Sequence, residues 1–222
     1  MRQIVSLKHF LSTGQLGTIF PEMTLLDVAR TLGAPQDFFI NKDVRAFPLH
    51  WGYDSDGPVL EFNFLPDPPH NIDWFQIESA MALNGDFCRF GRELLLTTDG
   101  LTGRSTPSDF LKSGAFDEAA TVVHLSQSLQ LTIICGRISI HFDGAGDIED
   151  ALDTAEKEAI FSNFGRALDF KAIDALLEPV DIYSHAELRH AESDHVMTRA
   201  TCSMTAYLAM LGTPEPPPTG KP

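Results

Sequence analysis

The sequence predicts an α+β protein, with antiparallel sheet packed by helices and a helical segment at the C-terminal side. Three observations lead there. Helix starts carry hydroxyl caps and end at glycine. Runs with apolar residues at every second position follow the helices in clusters rather than alternating with them, which favours antiparallel sheet. Beyond Gly144 the apolar spacing changes to three and four residues, the period of a helix. The expected organisation is a helix-helix-sheet unit over 1–90 and a second helix-plus-strands unit over 91–145, either separate or packed as one domain with the first. An acidic helical segment follows over 146–212, then a disordered proline-rich tail over 213–222.

Ser6 caps a first helix over Leu7 to Thr13, with Gly14 as its stop. Thr24 and Asp27 form a capping-box pair for a second helix, in which Leu25, Val28, Ala29 and Leu32 share a face and Gly33 and Pro35 end the run. Strands follow at Leu49 to Tyr53, at Val59 to Phe64, where Leu60, Phe62 and Phe64 alternate with Glu61 and Asn63, and at Ile72 to Glu78. In the second unit Thr106 caps, Pro107 takes N1 and Asp109 takes N3, with Gly114 at the end. Strands come next at about 120–125, 129–135 and 137–142; Gly136 marks either a turn between the last two or a bend within one strand. Ser6 to Gly14 aligns without gaps on Thr106 to Gly114, sharing the hydroxyl cap, the Phe-Leu pair and the terminal glycine. The match reads first as the common vocabulary of helix ends, and only second as a duplication, which would be incomplete because the second unit lacks a counterpart to the Thr24 helix. Asp147 to Leu177 is helical in composition up to Pro179, and Ser184 with Glu187 at N3 starts a last helix running toward Leu211.

The charge balance narrows the partners. Asp and Glu number 31 against 16 Lys and Arg, for a net charge of −15. Such a field repels phosphate backbones and anionic lipid, so neither nucleic acid nor a membrane surface is expected as a partner. A basic protein is attracted and steered by it. Asp147 to Asp194 holds thirteen acidic residues against Lys157, Arg166, Lys171 and Arg189. The N-terminal residues lack a signal-peptide pattern, and three widely spaced cysteines (Cys88, Cys135, Cys202) fit a reducing compartment, so the expected location is the cytoplasm.

Catalytic signatures are missing. No GxSxG elbow or cysteine-nucleophile motif occurs, and no cofactor or metal is expected. His185, His190 and His195 invite a metal centre, but on a helix a spacing of five turns successive imidazoles about 140° apart. Asp143 to Asp150 has the acids and glycines of a calcium loop, yet Ala145, Ile148 and Thr154 occupy positions that an EF-hand loop gives to other residues. Glu61 and Asp73 face one another across neighbouring strands as an ordinary solvated pair. Trp51, Tyr53, Trp74 and Phe75 cluster in the first sheet; packing under the helices is the commoner fate of such residues, and anchoring an interface is the other.

Phe10 to Ile19, then Met23-Thr24 with Asp27-Val28 and Leu32 to Pro35, then Trp51-Gly52-Tyr53 with Leu60 to Phe64, form a progression of the type LGxI, MTxxDVxxxLGxP, YGxLEFxF. In this first third the chain resembles a loose group of uncharacterised bacterial proteins, some of which look like immunity partners of secreted toxins. The resemblance implies a capped helix and a hairpin, and it transfers no catalytic residue. The functional expectation is a non-enzymatic protein-binding module, an immunity protein that occludes a basic toxin. Trp51, Tyr53, Trp74, Asp147, Glu149, Asp150, Asp153 and Glu156 are its candidate binding residues. The alternatives are a small metal-dependent hydrolase using the C-terminal histidines and acids, and a structural or oligomeric scaffold.

Overall fold

Backbone hydrogen bonding decides the architecture, because the described strands divide into two sheets that the sequence order does not anticipate. The computed structural model describes residues 3–39, 49–54, 57–144, 152–164, 171–187 and 198–212. A three-stranded sheet has the order β1-β7-β6, from β1 (Gln3–Ser6), β6 (Phe87–Phe90) and β7 (Leu94–Thr97). β1 runs parallel to β7, and β6 antiparallel to it. The other sheet has nine strands in the order β12-β8-β9-β10-β11-β5-β4-β3-β2, antiparallel throughout. Its strands are β2 (Asp37–Phe39), β3 (His50–Tyr53), β4 (Val59–Phe64), β5 (Ile72–Glu78), β8 (Thr121–Ser126), β9 (Leu131–Cys135), β10 (Ile138–Gly144), β11 (Leu177–His185) and β12 (Thr198–Ser203). The protein is thus α+β with large antiparallel sheets. Among the described residues no helix is long and apolar enough to cross a membrane.

The helices form where their caps put them. In α1 (Leu7–Thr13) the Ser6 hydroxyl accepts from the His9 N–H, and Gly14 closes the C-terminus at φ 73°. α2 (Leu25–Leu32) and α3 (Pro107–Lys112) both begin with complete capping boxes, Thr24 with Asp27 and Thr106 with Asp109. Such caps contribute about 1 kcal/mol each. α4 (Thr154–Asn163) repeats the device with Asp153 and Glu156, and α5 (Lys171–Asp174) and α6 (Met204–Leu211) follow. Gly136, at φ 58°, forms a tight turn with Arg137, so β9 and β10 are separate strands.

The C-terminal third corrects the expectation of an all-helical segment. Leu177–His185 is a strand, placed between β5 and β10, and Thr198–Ser203 is another at the sheet edge. Pro179 marks no helix stop. It sits at a bulge, where the register slips between His141 and Phe142, and a residue without an N–H is tolerated there. Ser184 caps no helix either; its hydroxyl donates to the Gly14 carbonyl at 2.7 Å and fastens β11 to the end of α1.

Alternation along the strands gives the large sheet one apolar face. Phe62, Phe75, Ile77, Ile182, Ile140 and Phe142 are fully or almost fully buried on it. Phe10 of α1 packs on Phe75 with ring centroids 5.5 Å apart, and Phe110 of α3 meets Phe142 edge-on at 5.4 Å. Beside this core lies one buried carboxylate. Asp174 accepts from the Ser108 N–H at 2.9 Å, the Ser108 hydroxyl at 2.8 Å and the Tyr207 hydroxyl at 2.9 Å, so it ties α3, α5 and α6 together.

Asp174→Ala leaves three buried donors without their acceptor, and a loss of about 3 kcal/mol is expected in urea unfolding. Gly103 is a second sensitive point. Its N–H donates to the Leu83 carbonyl at 2.8 Å, and a Cβ there would run into the Met81 carbonyl. Because that obstacle is backbone, Gly103→Ala is expected to lower stability by roughly 2–4 kcal/mol in the same assay.

Candidate functional site

The face of the nine-stranded sheet turned away from α1 and α3 is polar at its centre. Register alone assembles it, since residues paired across neighbouring strands point to the same side. His50 is near Glu61; Glu61 pairs with Gln76, Gln76 with Tyr183, and Tyr183 with Ser139. One position along, Asn63 pairs with Trp74 and Trp74 with His185; on the other side of Tyr183, Asp181 pairs with His141.

Rings form a row across β3, β5, β11 and β10. His50 meets Trp74 at 5.8 Å and Trp74 meets Tyr183 at 5.5 Å, both edge-on. Tyr183 stacks on His185 at 5.4 Å with planes 8° apart, and His141 stands edge-on to Tyr183 at 5.3 Å. Such contacts hold the rings in fixed orientations, with Trp74 and Tyr183 half-buried and His185 buried. The row borders a cavity of about 500 Å³ whose lining includes Trp74, Ser139, His141, Asp143, Asp181, Tyr183 and His185. A second hollow, of about 330 Å³, adjoins His50, Glu61 and Glu78 and reaches Asp37 at the sheet edge.

Carboxylates crowd the same face. Glu61 is held from two sides, by His50 Nε2 at 3.2 Å and by Gln76 Nε2 at 2.7 Å. Burial works against its charge, but these two hydrogen bonds, with the charge of His50 and a hydrogen bond from Glu78, together outweigh that and keep its pKa below the ordinary value. The bond to Glu61 in turn lifts His50 above its ordinary value, against burial. Glu78 goes the other way: burial raises it first, and the negative charge of Glu61 raises it further. Asp181 is also raised by burial; the Ser79 N–H it accepts at 3.3 Å offsets part of this, and Glu61 adds to it. Burial first, and the neighbouring negative charge second, thus oppose ionisation of Glu78 and Asp181.

Ser139 is the nearest thing to a nucleophile. Its hydroxyl lies 3.0 Å from His185 Nε2 and 3.4 Å from His141 Nε2. It stands mid-strand, however, paired with Ile134 on one side and Tyr183 on the other. Backbone N–H groups around it are spent in the two ladders, which leaves no amide cradle for an oxyanion. The cysteines are free thiols, and burial pushes Cys202 up to about 12, far from a thiolate.

Only Trp74, of the residues expected to bind, lies on this face. Trp51 and Tyr53 fall on the opposite side and belong to the core: Trp51 packs edge-on against Phe64 at 5.1 Å, and the Tyr53 hydroxyl donates to the Gly33 carbonyl at 2.9 Å. Burial also drives the Tyr53 phenol well above its ordinary pKa. Asp153 and Glu156 are exposed, and they serve each other as the cap of α4. Asp147, Glu149 and Asp150 lie outside the described residues. His185 sits on a strand rather than a helix, with Nε2 against Ser139; His190 and His195 lie outside the described residues. Among the described residues no group of three or more His, Cys, Asp or Glu could hold a metal ion. Glu61 faces Gln76 instead of Asp73, which accepts from Asn63 Nδ2 at 3.4 Å. Nothing local in the sequence marks Tyr183 or Asp181, and Ser139 and His141 are marked only by their place at the polar positions of an alternating strand.

The chain matches no family model, no curated protein and no solved structure.

The pKa directions fix how stability responds to pH. His50 is raised, so its contribution is complete below its ordinary 6.5 and is lost as pH rises through the folded value; Glu61 is lowered, so its contribution is complete above 4.5 and is lost as pH falls through the folded value. His50→Gln is therefore expected to destabilise most between those two values and least in alkali, measured by urea unfolding at a series of pH. Asp181 has the opposite sign. Its raised pKa makes the ionised form a cost at neutral pH, so Asp181→Asn is expected to raise Tm at pH 7, with the gain vanishing below the ordinary 3.8.

Proposed function

We propose that the protein is a non-enzymatic, cytoplasmic binding module that neutralises a basic protein by covering it, as an immunity protein does a toxin. The surface that serves this role best is the polar face of the nine-stranded sheet. One observation carries the reading: a row of oriented aromatic rings, with Trp74 and Tyr183 at its centre, is hemmed by Glu61, Glu78 and Asp181. Aromatic anchors supply desolvated contact area, and crowded carboxylates gain when a cation replaces their mutual repulsion. The excess of 31 acidic over 16 basic residues adds long-range attraction for such a partner. Binding by this face moves the expected contact from the acidic helical segment to the sheet.

A hydrolytic reading has one observation behind it, the 3.0 Å approach of Ser139 to His185. The strand ladders on both sides of Ser139 count against it. Treatment with a fluorophosphonate separates the two, and no labelling of Ser139 is expected.

The test of binding uses a panel of basic proteins, including any encoded beside this one. Each is purified, titrated with the protein, and assayed for loss of its activity. A one-to-one complex that blocks activity, and whose Kd weakens about tenfold or more as salt is raised, is expected for one of them. Trp74→Ala is expected to weaken that complex by at least about tenfold. Neutralisation that survives Trp74→Ala with an unchanged Kd removes the sheet face from the interaction.

A further inference from the structure

The cavity of about 500 Å³ over β5, β11 and β10 has a composition that selects among cations. Trp74 and Tyr183 offer ring surface, Asp143 and Asp181 offer carboxylates, and Ser139 and His141 lie between them. Gln130 Nε2 donates to Asp143 Oδ2 at 3.2 Å, which orients that carboxylate.

We infer that this cavity is the receptacle for one arginine side chain of the basic partner, its guanidinium set against the Trp74 and Tyr183 rings and paired with Asp181. The inference rests on the binding function proposed above and names the group recognised. Arginine fits better than lysine for two reasons. A guanidinium is planar and weakly hydrated, so it stacks on aromatic faces at little desolvation cost. Its N–H groups fan out in one plane, so a carboxylate on one side and a further acceptor on another can be served together. An ammonium presents a compact, strongly hydrated charge that gains less from flat rings. A neutral ligand leaves the repulsion between Asp181 and Glu61 unrelieved.

The two tryptophans make the test direct. Their indole N–H signals are followed by nuclear magnetic resonance while the whole chain is titrated with argininamide, lysinamide or citrullinamide, and Trp74→Phe assigns the peaks. Argininamide is expected to shift the Trp74 signal saturably and to leave that of the buried Trp51 in place. Lysinamide is expected to bind about tenfold more weakly, and neutral citrullinamide not to bind. Asp181→Asn keeps the side-chain shape and is expected to weaken argininamide by about tenfold. The inference is overturned if argininamide gives no saturable shift, if citrullinamide binds as well, or if Asp181→Asn changes nothing. The two proposals fail separately. Neutralisation of a basic protein without argininamide binding sinks the arginine receptacle alone, and argininamide binding with no protein neutralised sinks the occlusion reading alone.

Discussion

Every strand inside a sheet must find hydrogen-bond partners along both of its edges, and β11 meets that demand for two groups of strands at once. The meander of β3, β4 and β5 ends at an open edge of β5, and that of β8, β9 and β10 ends at an open edge of β10. Leu177–His185 lies between them, paired with Ile72–Glu78 on one side and Ile138–Gly144 on the other. Buried backbone groups left unpaired along either edge would carry a penalty comparable to losing the ladder itself. The core and the polar face both depend on this single strand. Ile182 and Ser184 point from it toward α1, while Asp181, Tyr183 and His185 point to the other side.

That dependence explains how the candidate site is built. Trp74 comes from the first meander and Ser139 and His141 from the second, and only β11 brings them to one cavity. The ring row crosses the sheet without interruption because Tyr183 stands between Trp74 and His141. The carboxylates tell the same story electrostatically. Asp181 arrives on β11 close enough to Glu61 to feel its charge, which adds to the effect of burial on its carboxyl. A surface that keeps such repulsion is spending folding stability on a feature that folding does not need, which is the usual mark of a site.

Local chemistry was the legible part of the sequence. The caps at Ser6, Thr24 and Thr106, the glycine stops and the alternating strands at Val59–Phe64 and Ile138–Gly144 depend on neighbours a few residues away, and each formed as its residues require. Elements defined by distant pairing were not legible. β1 and β7 are four residues each and pair in parallel, with most of the first ninety residues between them. β11 was concealed by Pro179, which is harmless only because a bulge happens to lie there, and by Ser184, a polar residue on the apolar side whose hydroxyl is satisfied by Gly14. The site shared that fate. Trp74 stands out as a tryptophan; Asp181 and Tyr183 fall in the short stretch between two expected helices, and Trp51 is core because the strand period assigns it to the Phe62 side.

The late position of β11 in the chain also shapes how the protein is made. During synthesis both meanders leave the ribosome well before the strand that joins them, so the bare edges of β5 and β10 wait until His185 has emerged. Naked edges are templates for pairing with other chains. A nascent chain paused anywhere in that interval therefore presents two sticky borders at once, and it is there that this protein is most exposed to wrong pairing.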